Sequence, residues 1–232
     1  MPLKELAERR NILHAKSSAQ TVLKHALQDV LIGKTALVSS FGAESVVLLH
    51  MAAEIDRTVP VIFLNTEMLF EETLRYQKDV AEALGLTDLR IITPSRAELL
   101  EKDVDGLLHI AFPDACCDLR KTQPLQQALQ GFGSWITGRK RFQNGQRAEL
   151  PLFEKADGRI KVNPLANWDA AQIAHYIEAH ALPRHPLVAQ GYPSVGCAPC
   201  TTRVSAQEDP RAGRWRNSTK TECGIHFDRK TG

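Results

Sequence analysis

Five cysteines carry most of the distinctive chemistry of this 232-residue chain. Cys116 and Cys117 are adjacent in DACCDLRK, Cys197 and Cys200 form a CxxC pair in GCAPCTTR, and Cys223 stands alone in TECGIHF, three residues before His226. Four thiolates can hold a zinc ion or an iron–sulfur cluster. The separation of 80 positions from Cys117 to Cys197 is far more than a zinc ribbon uses, and an adjacent pair is unusual for structural zinc, but spacing alone leaves both metals open. The plainer alternative, two small core residues, suits Cys116 and Cys117 poorly, because neighbouring side chains on a helix cannot share one buried face. In a reducing compartment, clustered cysteines point to metal or redox chemistry rather than disulfides. Cys223 is left over, in a polar tail with no apolar core to join.

A second set of residues could bind an anion. SSFGAES runs from an apolar run straight into a helical pattern, so Ser39, Ser40 and Gly42 would present hydroxyls and a bare backbone at a positive helix end. LNTEMLF offers Asn65 and Thr66 for a base or ribose, and TGRKRFQ concentrates Arg139, Lys140 and Arg141, suited to phosphate or sulfate. Neither GxxxxGK[ST] nor GxGxxG occurs, which disfavours a P-loop NTPase and a nicotinamide-binding Rossmann protein. Each segment is weak alone, since serine and glycine also make ordinary tight turns. Together they indicate an anionic ligand of nucleotide size.

The elements that must position these residues alternate. Strands are expected at 35–40, 59–65, 89–94, 134–138 and, more weakly, 159–165, and helices at 45–56, 69–85, 96–104, 124–132 and 169–182, with further helical cover over 3–30. Asp169 is the expected cap at the start of the last helix, and Gly85 the expected stop of the second. This is the pattern of an α/β protein, an open, mostly parallel sheet with helices on both faces, in which strand ends converge on one ligand. With 43% hydrophobic and 24% charged residues the chain can build one large core. No signal peptide or membrane-spanning run is readable, so a cytoplasmic protein without a membrane partner is expected. A net charge of +2 argues against a broad nucleic-acid surface. From Arg203 onward, however, seven basic residues face four acidic ones, and that end could meet an anion.

The ordered set SSFGAES, LNTEMLF, CCDLRKTQPL, ITGRKRFQ, GYPSVGCAPCT, RAGRW and ECGIHF spans most of the chain and resembles the iron–sulfur type of assimilatory adenylyl-sulfate (APS) reductases, relatives of the phosphoadenylyl-sulfate (PAPS) reductases. The resemblance implies an adenine-nucleotide α-hydrolase-like fold, a 4Fe-4S cluster on Cys116, Cys117, Cys197 and Cys200, and Cys223 as nucleophile on a mobile C-terminal tail. It divides the chain into a nucleotide-binding domain, 1–204, and a tail, 205–232. One departure is Ser45, where family members often carry a second acid after the glutamate of the first loop.

On that reading APS and a reduced dithiol give sulfite, AMP and a disulfide through an S-sulfonated Cys223, with thioredoxin or glutaredoxin as reductant. A thiolate needs positive charge nearby, which His226, Lys220 and the arginines would supply and Glu222 would oppose. Lys121, Arg211 and Arg214 are expected to neutralise the sulfate and phosphate oxygens. The competing readings are a PAPS reductase, a PP-loop ATP pyrophosphatase, whose SGGxDS-type loop is absent, and a zinc-dependent binding module, which leaves Cys223 unexplained. The sequence leaves the oligomeric state open, a homo-oligomer included.

Overall fold

Short apolar runs separated by amphipathic stretches must be buried on both faces, and the chain does this with a central sheet. The computed structural model describes residues 1–143, 145–216, 220 and 222–226. Residues 227–232, which include Phe227 of the ECGIHF motif and the last charges of the tail, lie outside the described residues.

Two helices, α1 (Leu3–Leu13) and α2 (Ala19–Gln28), precede the sheet and supply the expected N-terminal cover. The chain then alternates through β1 (Thr35–Ser39), α3 (Ser45–Ile55), β2 (Val61–Leu64), α4 (Glu71–Leu84), β3 (Leu89–Ile92) and α5 (Arg96–Lys102). Gly85 ends α4 in the left-handed conformation, at φ 64°, as its sequence position predicts. Three short helical pieces follow: α6 (Leu108–Ala111), α7 (Pro113–Cys117) and α8 (Gln123–Ala128), the last two joined by a π-helical turn, Asp118–Thr122. The remaining elements are β4 (Ser134–Ile136), β5 (Phe153–Ala156), β6 (Arg159–Val162) and α9 (Ala170–Ala179). Asp169 caps α9 in a reciprocal capping box with Gln172.

The six strands lie in the order β3-β2-β1-β4-β6-β5, all parallel except β5, which pairs antiparallel with β6. The five expected strands are β1, β2, β3, β4 and β6. The one missed is β5, which forms a hairpin with β6 through Asp157 and Gly158, at φ 47° and 73°. That Asp-Gly dipeptide is a strong hairpin signal, but the polar FEKA segment beside it masked the strand. The larger core packs α1 to α4 and α9 against one face, while Ala36, Ile62, Leu125, Leu129 and Trp135 fill the other beneath α8.

The chain leaves β1 for β2 on one side and returns to β4 on the other, so a crevice opens between the carboxyl ends of β1 and β4, the usual place for a ligand in such sheets. Residues on the two sides of the expected boundary at residue 204 are hydrogen-bonded to one another. Thr202 N donates to Gly213 O, Val204 N to Gly191 O and Trp215 N to Cys200 O, so residues 205–216 fold back as part of the CxxC loop. The first and third of these bonds join residues on opposite sides of Val204.

Candidate active site

A cavity of about 270 Å³ opens at the β1–β4 crevice. At its floor the loop after β1 turns sharply, with Phe41 at φ 46°. Ser39 Oγ accepts from Phe41 N, and Gly42 N donates to Ser45 Oγ at 3.0 Å. The free amides expected here are therefore partly taken by hydroxyls. Ser45, the departure from the family pattern, is the residue that satisfies Gly42. Ser39, Ser40 and Gly42 all line the cavity, and a Cβ on Gly42 would stand 3.4 Å from Val195 O, so the loop packs closely against the segment before the CxxC pair.

The end of β2 divides its two candidates. Thr66 lines the cavity, and its Oγ1 lies 3.3 Å from Cys197 Sγ. Asn65 does not line it: its Oδ1 accepts from Glu67 N in a local turn. The basic run after β4 divides likewise. Arg139 and Lys140 line the cavity, whereas Arg141 is exposed and its Nε donates to Leu150 O. Asn65 and Arg141 are thus not wall residues, because the turn carries the former back onto its own backbone and the 3₁₀ turn at Arg141–Gln143 carries the latter outward. In the place of Arg141 stands Arg147, a residue with no sequence signal in the loop GQRAEL, 6% exposed and paired with Glu222 at 2.6 Å.

Six cations, Lys121, Arg139, Lys140, Arg147, Arg211 and Arg214, line the cavity against three carboxylates, Glu44, Asp209 and Glu222. Lys140 is tied to Glu44 at 2.8 Å and Arg139 pairs with Glu154 from behind the wall. Burial, with Arg147 and Arg214 close by, pushes Arg211 down to about 10, and burial with Arg147 does the same to Arg139. An anion entering the cavity would relieve this crowding. Arg214 donates to Val195 O at 3.2 Å and stacks its guanidinium 4.5 Å from the Trp215 ring.

The cysteines reach this wall from three directions. Cys116 and Cys117 are both buried, at 7% and 6% exposure, although they are adjacent. The π turn that follows widens the helix, and the two thiols find different neighbours: Cys116 lies in the field of Cys197 and Cys200, while Cys117 contacts Cys223. The segment is braced by Arg120, which pairs with Asp103 at 2.6 Å and donates to Thr66 O. Cys197 is pinned by a bridge to Leu69 and by Ala198 N donating to Met68 O. Burial pushes the Cys116 thiol up to about 11 and raises Cys200 as well. All five thiols are free. Among the described residues no set of three or more His, Cys, Asp or Glu side chains stands in metal-binding geometry.

Cys223 lies at the cavity wall, and its pKa is held well below that of an ordinary thiol by the hydrogen bond from Cys117, then by Lys121, the Ile225 amide and Arg214, against the cost of burial. Lys121 is pulled down by burial, but the thiolates of Cys223, Cys197 and Cys117 outweigh this and keep it charged. His226 behaves otherwise than expected. Its ring lies parallel to Trp135 at 6.4 Å, and burial plus the charges of Lys161, Arg139, Arg147 and Arg211 hold its pKa well below 6.5. A cation is disfavoured on that ring, and the cations that lower the Cys223 pKa are Lys121 and Arg214. Lys220 pairs with Asp114 beside the same thiol.

These features have counterparts among known proteins. The model of the phosphoadenosine phosphosulfate reductase domain matches residues 34–203. An adenosine 5'-phosphosulfate reductase of Mesorhizobium japonicum is 51% identical over 206 residues, 89% of this chain and 81% of that protein. One of Mycolicibacterium smegmatis is 40% identical over 227 residues, 97% of this chain and 94% of that protein. The crystal structure of a phosphoadenylyl-sulfate reductase from Candida auris superposes with a TM-score of 0.73 at 32% identity, covering 85% of this chain and 97% of that one. With the sheet, the cationic crevice and these relatives in agreement, the chain belongs to the phosphoadenosine phosphosulfate reductase domain family.

Proposed function

We propose that this protein reduces adenylyl sulfate to sulfite and AMP, with Cys223 as nucleophile and a dithiol as electron donor. The observation that carries the reading is the position of Cys223: a thiol in the field of Lys121 and Arg214 on the wall of a cavity lined by six cations. The named activity of the two relatives supports the substrate class.

The Cys223 thiolate attacks the sulfate sulfur. A sulfur–sulfur bond forms, the bond from sulfur to the bridging oxygen breaks, and AMP leaves with that electron pair. Lys121, Arg211 and Arg214 neutralise the oxygens on which charge develops, and their positions are fixed before substrate arrives, so little reorganisation is needed. A thiolate of thioredoxin or glutaredoxin then attacks Cys223 Sγ, and sulfite leaves with the electron pair of the sulfur–sulfur bond. The partner's second thiol resolves the mixed disulfide and frees Cys223. Sulfur gains two electrons and the dithiol loses two.

Cys116, Cys117, Cys197 and Cys200 are the proposed ligands of a 4Fe-4S cluster. The donor set fits: four reduced, largely buried thiols on two segments held together by Arg120 and Thr66. For all four to serve, Cys117 turns from Cys223 toward the other three. When bound, the cluster would supply structure and a fixed electrostatic field beside Lys121 rather than electrons, since the dithiol provides both. A cytoplasmic setting follows from the need for a reducing compartment; no helix among the described residues is long and apolar enough to cross a membrane.

Sulfite release from APS and from PAPS, with thioredoxin present, tests this reading. Turnover of APS with little from PAPS is the expected result. Preference for PAPS would move the substrate to the 3'-phosphorylated nucleotide, and ATP pyrophosphate cleavage without sulfite would overturn the assignment.

A further inference from the structure

Glu222 joins the backbone of Cys223 to the far wall of the cavity. Its Oε2 accepts from Arg147 Nε and Nη2, each at 2.6 Å, and its Oε1 accepts from Cys223 N at 2.9 Å. Both partners of the ion pair are buried, Glu222 at 4% and Arg147 at 6% exposure. Arg147 is anchored in turn: Nη1 donates to Gln143, Gln143 Nε2 donates to Glu44 Oε2 at 3.0 Å, and Lys140 holds the same carboxylate. A line of charge-assisted bonds therefore runs from the start of α3 to the amide of Cys223. The other ion pair described between tail and body, Lys220 with Asp114, involves a carboxylate 92% exposed, where water competes strongly.

We propose that Glu222 is a positioning residue that latches Cys223 over the cavity and sets how long it stays there. This rests on the reading of Cys223 as the carrier of an S-sulfo group. The two half-reactions make opposite demands. Attack on the nucleotide needs Cys223 held inward beside Lys121, whereas attack by a protein dithiol needs Cys223 Sγ reachable from outside. Closure by a buried ion pair, with two guanidinium nitrogens on one carboxylate oxygen and the Cys223 amide on the other, satisfies the first demand. The sulfonate gained by Cys223 supplies a trigger for the second, because it adds an anion one residue from the Glu222 carboxylate and the two repel.

The test uses the full-length protein and two variants, Glu222→Gln and Arg147→Lys, which keep size but lose the charge or the forked geometry. Without nucleotide, alkylation of Cys223 by iodoacetamide and by a bulky polyethylene-glycol maleimide is followed by mass spectrometry of the Cys223 peptide. The bulky-to-small rate ratio cancels any change in thiolate fraction and reports opening alone. It should rise about ten-fold in both variants, the scale of one lost charge-assisted hydrogen bond. In Glu222→Gln, formation of the S-sulfo adduct from APS should slow while thioredoxin-driven sulfite release from preformed adduct becomes faster. An unchanged ratio in both variants, or equal slowing of both half-reactions, would overturn the latch. Absence of any adduct on Cys223 in the wild type would instead sink the functional reading, and the alkylation ratio would still decide the latch.

Discussion

Arg214 occupies the space that a side chain at Gly196 would need: a Cβ built on Gly196 would stand 2.3 Å from Arg214 Nη2 and 2.5 Å from its Cζ. The glycine before the CxxC pair is thus a seat for a cavity arginine rather than a flexible hinge. Gly196→Ala should expel Arg214 from the wall, raising the KM for APS and lowering kcat/KM by roughly ten- to a hundred-fold, as expected when one charged contact to the transition state is lost. Steady-state kinetics at fixed reductant concentration measure this, and wild-type values would refute the role given to Arg214.

Cys223→Ser should bind APS yet release sulfite at least about a thousand-fold more slowly, because a hydroxyl lacks both the low pKa and the nucleophilicity of a thiolate. Wild-type protein given APS without dithiol should gain one SO₃ group on Cys223, removable by thioredoxin. Appearance of the adduct on another cysteine would move the nucleophile elsewhere.

His226 is neutral in the folded site, so His226→Gln should lower the rate of adduct formation by a factor that does not vary between pH 7 and 9. The sign of its contribution to docking follows from a folded pKa below the free value of 6.5. The unfolded tail takes the proton more readily, so docking of residues 222–226 is fully favoured above about pH 6.5 and weakens as pH falls below it. Protection of Cys223 from the bulky maleimide, followed from pH 7.5 to 5.5 relative to the small reagent, measures this. Protection that increased on acidification would contradict it.

Arg211 and Arg141 separate the cavity from its surroundings. Arg211→Ala should cost on the order of a hundred-fold in kcat/KM, since a cation held close to its neighbours by burial is relieved only by substrate. Arg141→Ala should stay within about two-fold of wild type, the usual range for an exposed side chain without a site contact. A large loss from Arg141→Ala alone would mean that the ligand sits outside the crevice.

Protein purified without oxygen should be brown, with about four irons and four acid-labile sulfides per chain. Cys197→Ser should lose the colour and melt at lower temperature, because cluster binding and folding are coupled, and because Cys197 also anchors to Leu69 and Thr66. Fully active, colourless, zinc-loaded protein would exclude the cluster.

The sequence was enough to place five of the six strands, the cap at Asp169 and the stop at Gly85, because these depend on contacts within a few residues. It also named several polar residues of the cavity wall, since loops at the carboxyl ends of parallel strands converge wherever the sheet reverses its order. The edge strand β5 escaped, because Phe153–Ala156 is defined by its pairing with β6 and not by its own polar composition.

What the sequence determined by itself was the inventory: five thiols in a particular order, basic residues near the strand ends, and a cysteine stranded in a polar tail. Which members of that inventory share one space was decided by tertiary structure. Asn65 and Arg141 sit one residue from wall positions and point away, because a local turn costs nothing in sequence pattern yet rotates a side chain out of reach. Arg147 enters from a loop without periodicity because Glu222, 75 residues later, gives its charge a buried partner. The charge state of His226 depends on the fold for the same reason. An imidazole carries its pKa near neutrality in any sequence, but burial beside Trp135 and the charges of Lys161 and three arginines disfavour its cation.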